Sequence, residues 1–165
     1  MYTNTIELLE VAPRDGLQNE AVAISTEHKL ALIARSIAAG TRRIEVTSFV
    51  NPRAVPQMAD ADAVAAGLPP RDDVTFIGLV MNLRGAQRAL ATGRIDQLGA
   101  VAVATDTFAM ANQNQTSDGS VDAASAIVSR KRWRSTVARL VASSARAFSS
   151  ARAISELRSR SWTWE

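Results

Sequence analysis

Cysteine is absent from this chain of 165 residues, so disulfides, thiolate metal sites and a cysteine nucleophile are excluded within it. Histidine occurs once, at His28, so an imidazole cluster cannot be assembled from this chain alone. His28 is expected on the polar face of a helix, in a structural or exposed place. No apolar run approaches the roughly 20 residues needed to cross a bilayer. The N-terminus has neither a basic leader nor a hydrophobic signal core, and the expected compartment is the cytosol, with no membrane contact.

What is present reads as one globular domain, 47% hydrophobic and 21% charged. The charge is unevenly spread. Residues 1–128 carry ten Lys/Arg against fourteen Asp/Glu, net −4, whereas residues 129–165 carry nine against two, net +7. The basic pI therefore belongs to the C-terminal stretch.

Apolar strand-like runs recur at residues 6–11, 44–47, 74–80 and 98–104, separated by segments long enough to hold a returning helix. The first run is almost continuously apolar, as a strand covered on both faces would be. A helix is predicted after it, capped by Ser25 or Thr26, with Leu30, Ile33, Ala34 and Ile37 on one face and Gly40 closing it. Further helices are predicted over residues 56–66 and 83–91, the latter ending at Gly93. A polar loop over 112–119 then leads to a stripe at Val121, Ala124, Ser125 and Val128. Beyond residue 128 the chain becomes rich in Arg, Ser and Ala, without strand or turn punctuation. Two readings of it stay open, a shifted reading frame near residue 129 or a true basic extension. The domain expectation is therefore 1–128 and 129–165.

The most informative stretch is EVAPRDGLQNE at 10–20, where Pro13 and Gly16 break a strand around Arg14 and Asp15. Parallel α/β proteins keep their chemistry where strands end in loops. Three further blocks accompany it: RRIEVTSFVNPRAVPQMADAD at 42–62, NLRG at 82–85 and ATDTFAMANQNQT at 104–116. Glu45 lies inside an apolar strand, a costly burial unless it is paired or serves a site. Asn82 reads as a helix cap and Arg84 as a solvated side chain.

With these four blocks the chain resembles the hydroxymethylglutaryl-CoA lyase family, metal-dependent lyases built on a TIM barrel. The resemblance covers about residues 5–128. It implies an α/β fold, the N-terminal half (about four βα units) of a TIM (β/α)8 barrel, with an atypical basic C-terminal tail that is helical or disordered. It implies retro-aldol cleavage of 3-hydroxy-3-methylglutaryl-CoA to acetyl-CoA and acetoacetate, a step of leucine degradation, with an acyl-CoA as partner and Mg2+ or Mn2+ as cofactor. By the same resemblance Asp15 matches the metal-binding carboxylate and Arg14 the catalytic arginine. Glu45 matches a further catalytic position, and Gln18 and Ser48, with Arg14, match substrate-binding ones.

The family's His-x-His pair, its metal-binding Asn and its reactive Cys on a glycine-rich loop have no counterpart here. The resemblance thus implies that this chain has little or no activity alone and holds a divalent ion weakly if at all. Open barrel edges imply self-association or aggregation. Related acyl-CoA lyases or synthases are the alternative within the enzyme class. Two other classes are a half-barrel module completed by another polypeptide and a nucleic-acid binder using Arg130, Lys131, Arg132, Arg134 and the tryptophans Trp133, Trp162 and Trp164. The last is disfavoured, because no recognised nucleic-acid motif frames that cluster.

Overall fold

The computed structural model describes residues 6–129 and the backbone of 137–143. Helix α1 (Thr26–Ala38) leads into strand β1 (Arg43–Ser48); α2 (Ala61–Ala66), β2 (Thr75–Val80), α3 (Leu83–Ala91) and β3 (Gln97–Val103) follow. Then come α4 (Asp106–Gln113), α5 (Ser117–Val128) and β4 (Val137–Ser143). The four strands form one sheet in the order β1-β2-β3-β4, every pair parallel. Sequential parallel neighbours joined by helices are the pattern of a β/α barrel, here a part of one.

Alternation along the strands sorts the side chains into two layers. Ile44, Val46, Phe76, Val80, Leu98 and Ala100 join the helix-side core with Ile33, Ile37, Val64, Ala86 and Ala89. Glu45, Ile77 and Leu79 take the opposite parity and are buried as well, and a register shift after Glu45 pairs Thr47 with Gly78 and buried Ser48 with Leu79.

The predicted punctuation is realised at several ends. Ser25 Oγ accepts from the His28 backbone N–H at 3.4 Å and so caps α1, and Gly40 closes that helix at φ +100°. Asn82 Oδ1 accepts from Gly85 N at 2.9 Å and caps α3, as expected. Gly85 also permits a close approach. A Cβ there would sit 2.4 Å from the Phe49 carbonyl oxygen, so only glycine lets α3 lie this near the loop after β1.

Four expectations need correction. The run at 6–11 is not a buried strand: only Glu10 bridges β1, through Glu10 N to Arg43 O at 3.0 Å and Glu45 N to Glu10 O at 2.8 Å. Ile6 and Leu8 are 91% and 80% exposed, because among the described residues no strand lies on the other side of this edge to cover them. The helix expected over 56–66 is split into a 3-10 turn, Pro56–Met58, and α2, with Asp60 between them drawn toward α1. On α5 the buried positions are Ser120, Ala124 and Ile127, a rotation from the predicted stripe, and α4 occupies what read partly as loop. Finally, the basic stretch, expected to lack strands, instead supplies β4, paired with β3 from Gln97↔Val137 to Val103↔Ser143. The basic cluster at 130–134 and Trp162 and Trp164 lie outside the described residues.

Candidate active site

The chain leaves the Glu10 bridge and turns at once. Pro13 withholds an N–H from any ladder, Glu10 Oε1 accepts from Ala12 N at 2.8 Å, and residues Ala12–Gly16 wind into one π-helical turn. That turn sets Arg14 above β1. Its guanidinium grips Glu45 as a fork, Nε to Oε1 at 3.0 Å and Nη2 to Oε2 at 3.1 Å, while Nη1 donates to Asp15 Oδ1 at 2.8 Å. The side chains of Glu45 and Arg14 are 7% and 15% exposed, and that of Asp15 is 54% exposed.

The burial of Glu45 is thus explained by a paired, planar partner, which is the arrangement that makes a buried carboxylate tolerable. Three of the five N–H donors of Arg14 are engaged by these carboxylates. Two are left for an oxygen that gains negative charge, held in a fixed direction by the fork beneath. Both carboxylate oxygens of Glu45 accept from Arg14, so its evident work is to orient that arginine.

Ser48 ends β1 fully buried, and its hydroxyl has no hydrogen-bond partner among the described residues. Leaving such a group unpaired costs about 1–3 kcal/mol, a cost typical of a position kept for a purpose other than stability. Gln18 follows the π-helical turn in a half-buried place, and the hydrogen bonds of Arg14, Asp15 and Glu45 with one another do not include it. The expected set therefore divides: Arg14, Asp15 and Glu45 are in contact, whereas no hydrogen bond among the described residues ties Ser48 or Gln18 to them.

A second cluster, not foreseen from the sequence, supports this one. Lys29 Nζ is buried and donates to Asp60 Oδ1 and to the Gln57 carbonyl, each at 2.5 Å, and Thr26 Oγ1 donates to Asp60 Oδ2 at 2.7 Å. Gln57 Nε2 reaches the carbonyl of Glu20 at 2.7 Å, and Thr47 Oγ1 lies 3.8 Å from Met58 Sδ. The block around Val55–Met58 is thereby stapled to the segment that follows Arg14 and to the strand that carries Glu45. A signal for it exists in the chain: Lys29 shares the four-residue spacing of Ile33 and Ile37, a cation placed on an apolar face. His28, in contrast, is exposed and only approaches its own cap, Nδ1 to Ser25 Oγ at 3.1 Å.

The residues present do not fit a divalent metal by themselves. Among the described residues no group of three or more His, Asp or Glu side chains converges, and Asp15 is a single exposed carboxylate already engaged by Arg14. Mg2+ gives up water reluctantly and needs more oxygen ligands than this. No helix among the described residues is long and apolar enough to cross a membrane.

The family model described as HMGL-like matches residues 5–157. The chain belongs to that family. It is 43% identical over 109 residues to a 3-hydroxy-3-isohexenylglutaryl-CoA/hydroxymethylglutaryl-CoA lyase of Pseudomonas aeruginosa, covering 66% of this chain and 36% of the relative. It is 41% identical over 121 residues to an (R)-citramalyl-CoA lyase of Chloroflexus aurantiacus, covering 67% of this chain and 38% of the relative. Among solved structures, an HMG-CoA lyase from Acinetobacter baumannii in complex with coenzyme A and 3-methylmalate superposes with a TM-score of 0.76 at 32% identity, over 85% of this chain and 47% of that one. This HMGL-like chain thus spans between 25% and 40% of the length of the curated relatives it matches, and carries the fold of a family barrel over its own part.

Proposed function

We propose that this chain contributes the β1 side of a carbon–carbon lyase site acting on a 3-hydroxy-3-methylglutaryl-CoA-type thioester in the cytosol. The observation that carries the reading is the Arg14 fork on buried Glu45, which leaves two of the guanidinium's N–H donors uncommitted for a developing enolate oxygen. In retro-aldol cleavage a base removes the tertiary hydroxyl proton, the C–C bond breaks, and charge gathers on the carbonyl oxygen of the departing enolate. Arg14 is the residue for that charge. Glu45 positions Arg14, Asp15 is the one carboxylate offered toward Mg2+ or Mn2+, and Gln18 and Ser48 are substrate-facing candidates. With a single ligand, ion binding by this chain alone is expected to be weak.

The acyl-CoA reading is supported by relatives named for CoA thioester substrates, and a citramalyl-CoA-type substrate is the second reading because one of them is a citramalyl-CoA lyase. Exposed Ile6 and Leu8 beside the open β1 edge support self-association. The test is thioester cleavage with both substrates in Mg2+ or Mn2+. The chain alone is expected to show little or no turnover, and addition of a polypeptide supplying the rest of a family barrel is expected to raise it, with Arg14→Gln abolishing the gain. A complemented mixture in which Arg14→Gln keeps full turnover overturns the assignment of Arg14.

A further inference from the structure

The segment that carries Arg14 is tethered on both sides. Upstream, Glu10 is bridged to β1, Glu10 N to Arg43 O at 3.0 Å and Glu45 N to Glu10 O at 2.8 Å. Downstream, the bonds that follow the π-helical turn are local: Asn19 N to Gly16 O at 3.2 Å, Glu20 N to Leu17 O at 3.3 Å and Asn19 Nδ2 to Asp15 O at 2.7 Å. Residues 19–23 are exposed, so packing holds this stretch weakly. Among the described residues, one hydrogen bond joins residues 16–24 to a distant part of the chain, from Gln57 Nε2 to the Glu20 carbonyl at 2.7 Å. We infer that Lys29 and Gln57 are positioning residues for Arg14: the buried Lys29 ammonium fixes the turn that carries Gln57, and the Gln57 amide fixes the chain that leaves the Arg14 turn.

Gln57 lies in the three-residue 3-10 turn Pro56–Met58, whose backbone bonds are Met58 N to Val55 O at 3.1 Å and Ala59 N to Pro56 O at 3.0 Å. So short a turn leaves its later carbonyls without a partner of its own. Lys29 Nζ supplies the donor to the Gln57 carbonyl and is itself held by Asp60 Oδ1, each at 2.5 Å, while Asp60 Oδ2 accepts from Thr26 Oγ1 at 2.7 Å. The Lys29 side chain is 3% exposed and shares its face of α1 with Ile33 and Ile37. A buried ammonium–carboxylate pair adds little stability over apolar residues of the same volume, because desolvation offsets the attraction. A charged donor on a long stem does, however, give one carbonyl a fixed place in a dry interior. The same turn reaches the other half of the fork, since Met58 Sδ stands 3.8 Å from Thr47 Oγ1, two residues past Glu45. Both members of the fork are thereby registered against one short piece of chain. The use of Arg14 in thioester cleavage rests on the proposed lyase reading; its coupling to Lys29 does not, and is read on the guanidinium itself.

The full chain is prepared with isotopically labelled arginine, and the Arg14 Nε–H resonance is assigned by its loss in Arg14→Lys. Its exchange with water is measured by NMR in the parent, in Lys29→Met and in Gln57→Ala, which removes the tie to Glu20 but leaves the Gln57 carbonyl to Lys29. Glu45→Ala gives the rate of an Arg14 released from its fork. Ile127→Val, a core truncation on α5, shows how much exchange a general loss of stability causes, with urea denaturation ranking the variants. Arg71 Nε–H, donated to Asp73 Oδ1 at the surface, is the reference within each sample.

Gln57→Ala and Lys29→Met are each expected to speed Arg14 Nε–H exchange about tenfold, toward the Glu45→Ala rate, with Arg71 unchanged and Ile127→Val close to the parent. A rate in Gln57→Ala within about twofold of the parent overturns the inference. So does a rise in Lys29→Met that Ile127→Val matches at equal loss of stability, because that is the mark of a structural role alone. Should Lys29→Met not fold, Gln57→Ala decides by itself, since it leaves every buried charge paired. The expected rates alongside an inactive complemented mixture support the coupling and overturn the lyase reading.

Discussion

Two arginines in this chain hold a carboxylate in the same two-pronged way, yet they sit in opposite surroundings. Arg71 grips Asp73 at 2.7 and 2.6 Å, tighter than the 3.0 and 3.1 Å of Arg14 on Glu45. The shorter fork is the exposed one, with side chains 38% and 49% accessible, against 15% and 7% for the longer. It also joins residues two apart, whereas Arg14 and Glu45 are 31 apart. Distance therefore does not rank them. A pair of near neighbours can form in the unfolded chain and is shielded by water in the folded one, so folding changes it little. A distant pair beside an apolar strand exists only when the sheet has formed, and there both oxygens of buried Glu45 depend on Arg14.

Removing one partner from each fork breaks or sharpens this contrast. Glu45→Ala leaves the Arg14 charge half-buried without its main counter-charge and is expected to cost about 3 kcal/mol in urea denaturation; a loss under about 1 kcal/mol would place the two forks in the same class. Lys29→Met, which severs the buried tie to Asp60 and to the Gln57 carbonyl, should be intermediate, about 2 kcal/mol by the same measurement. Equality with Glu45→Ala would shift the weight of the site onto that staple.

Asp73→Asn should have the smallest effect, a slight lowering of the urea midpoint at neutral pH. The direction of its pH dependence is nevertheless fixed. Hydrogen bonding from Arg71, opposed by some desolvation and aided by the charge of that arginine, holds the Asp73 carboxyl below the ordinary aspartate value. A folded-state value below the unfolded one contributes stability above the ordinary value, which is lost as pH falls through the lowered one. Parent and variant should thus converge in acid. A variant that becomes relatively less stable as the pH falls contradicts that sign.

The features legible in the primary structure are those set by neighbours along the chain. Strands β1, β2 and β3 emerge from short apolar runs, α1 and α3 from spacing plus the caps Ser25 and Asn82 and the terminators Gly40 and Gly93, which take φ of +100° and +63°. Arg14 and Asp15 stand out because Pro13 and Gly16 advertise a break in a strand. Lys29 does not, although its register with Ile33 and Ile37 marks it, because its partner Asp60 lies 31 residues away.

The order of amino acids by itself determined where chain segments become strand, helix or turn and which residue types stand at their ends, since backbone sterics and periodicity act over a few residues. Only the tertiary structure decided that Arg14 closes on Glu45, that Ile6 and Leu8 stay uncovered, that residues 137–143 add a strand to the sheet, and that Gln57 meets the carbonyl of Glu20. Each of these depends on what a distant segment brings into contact, and burial, pairing and charge balance have no value until that neighbour is in place.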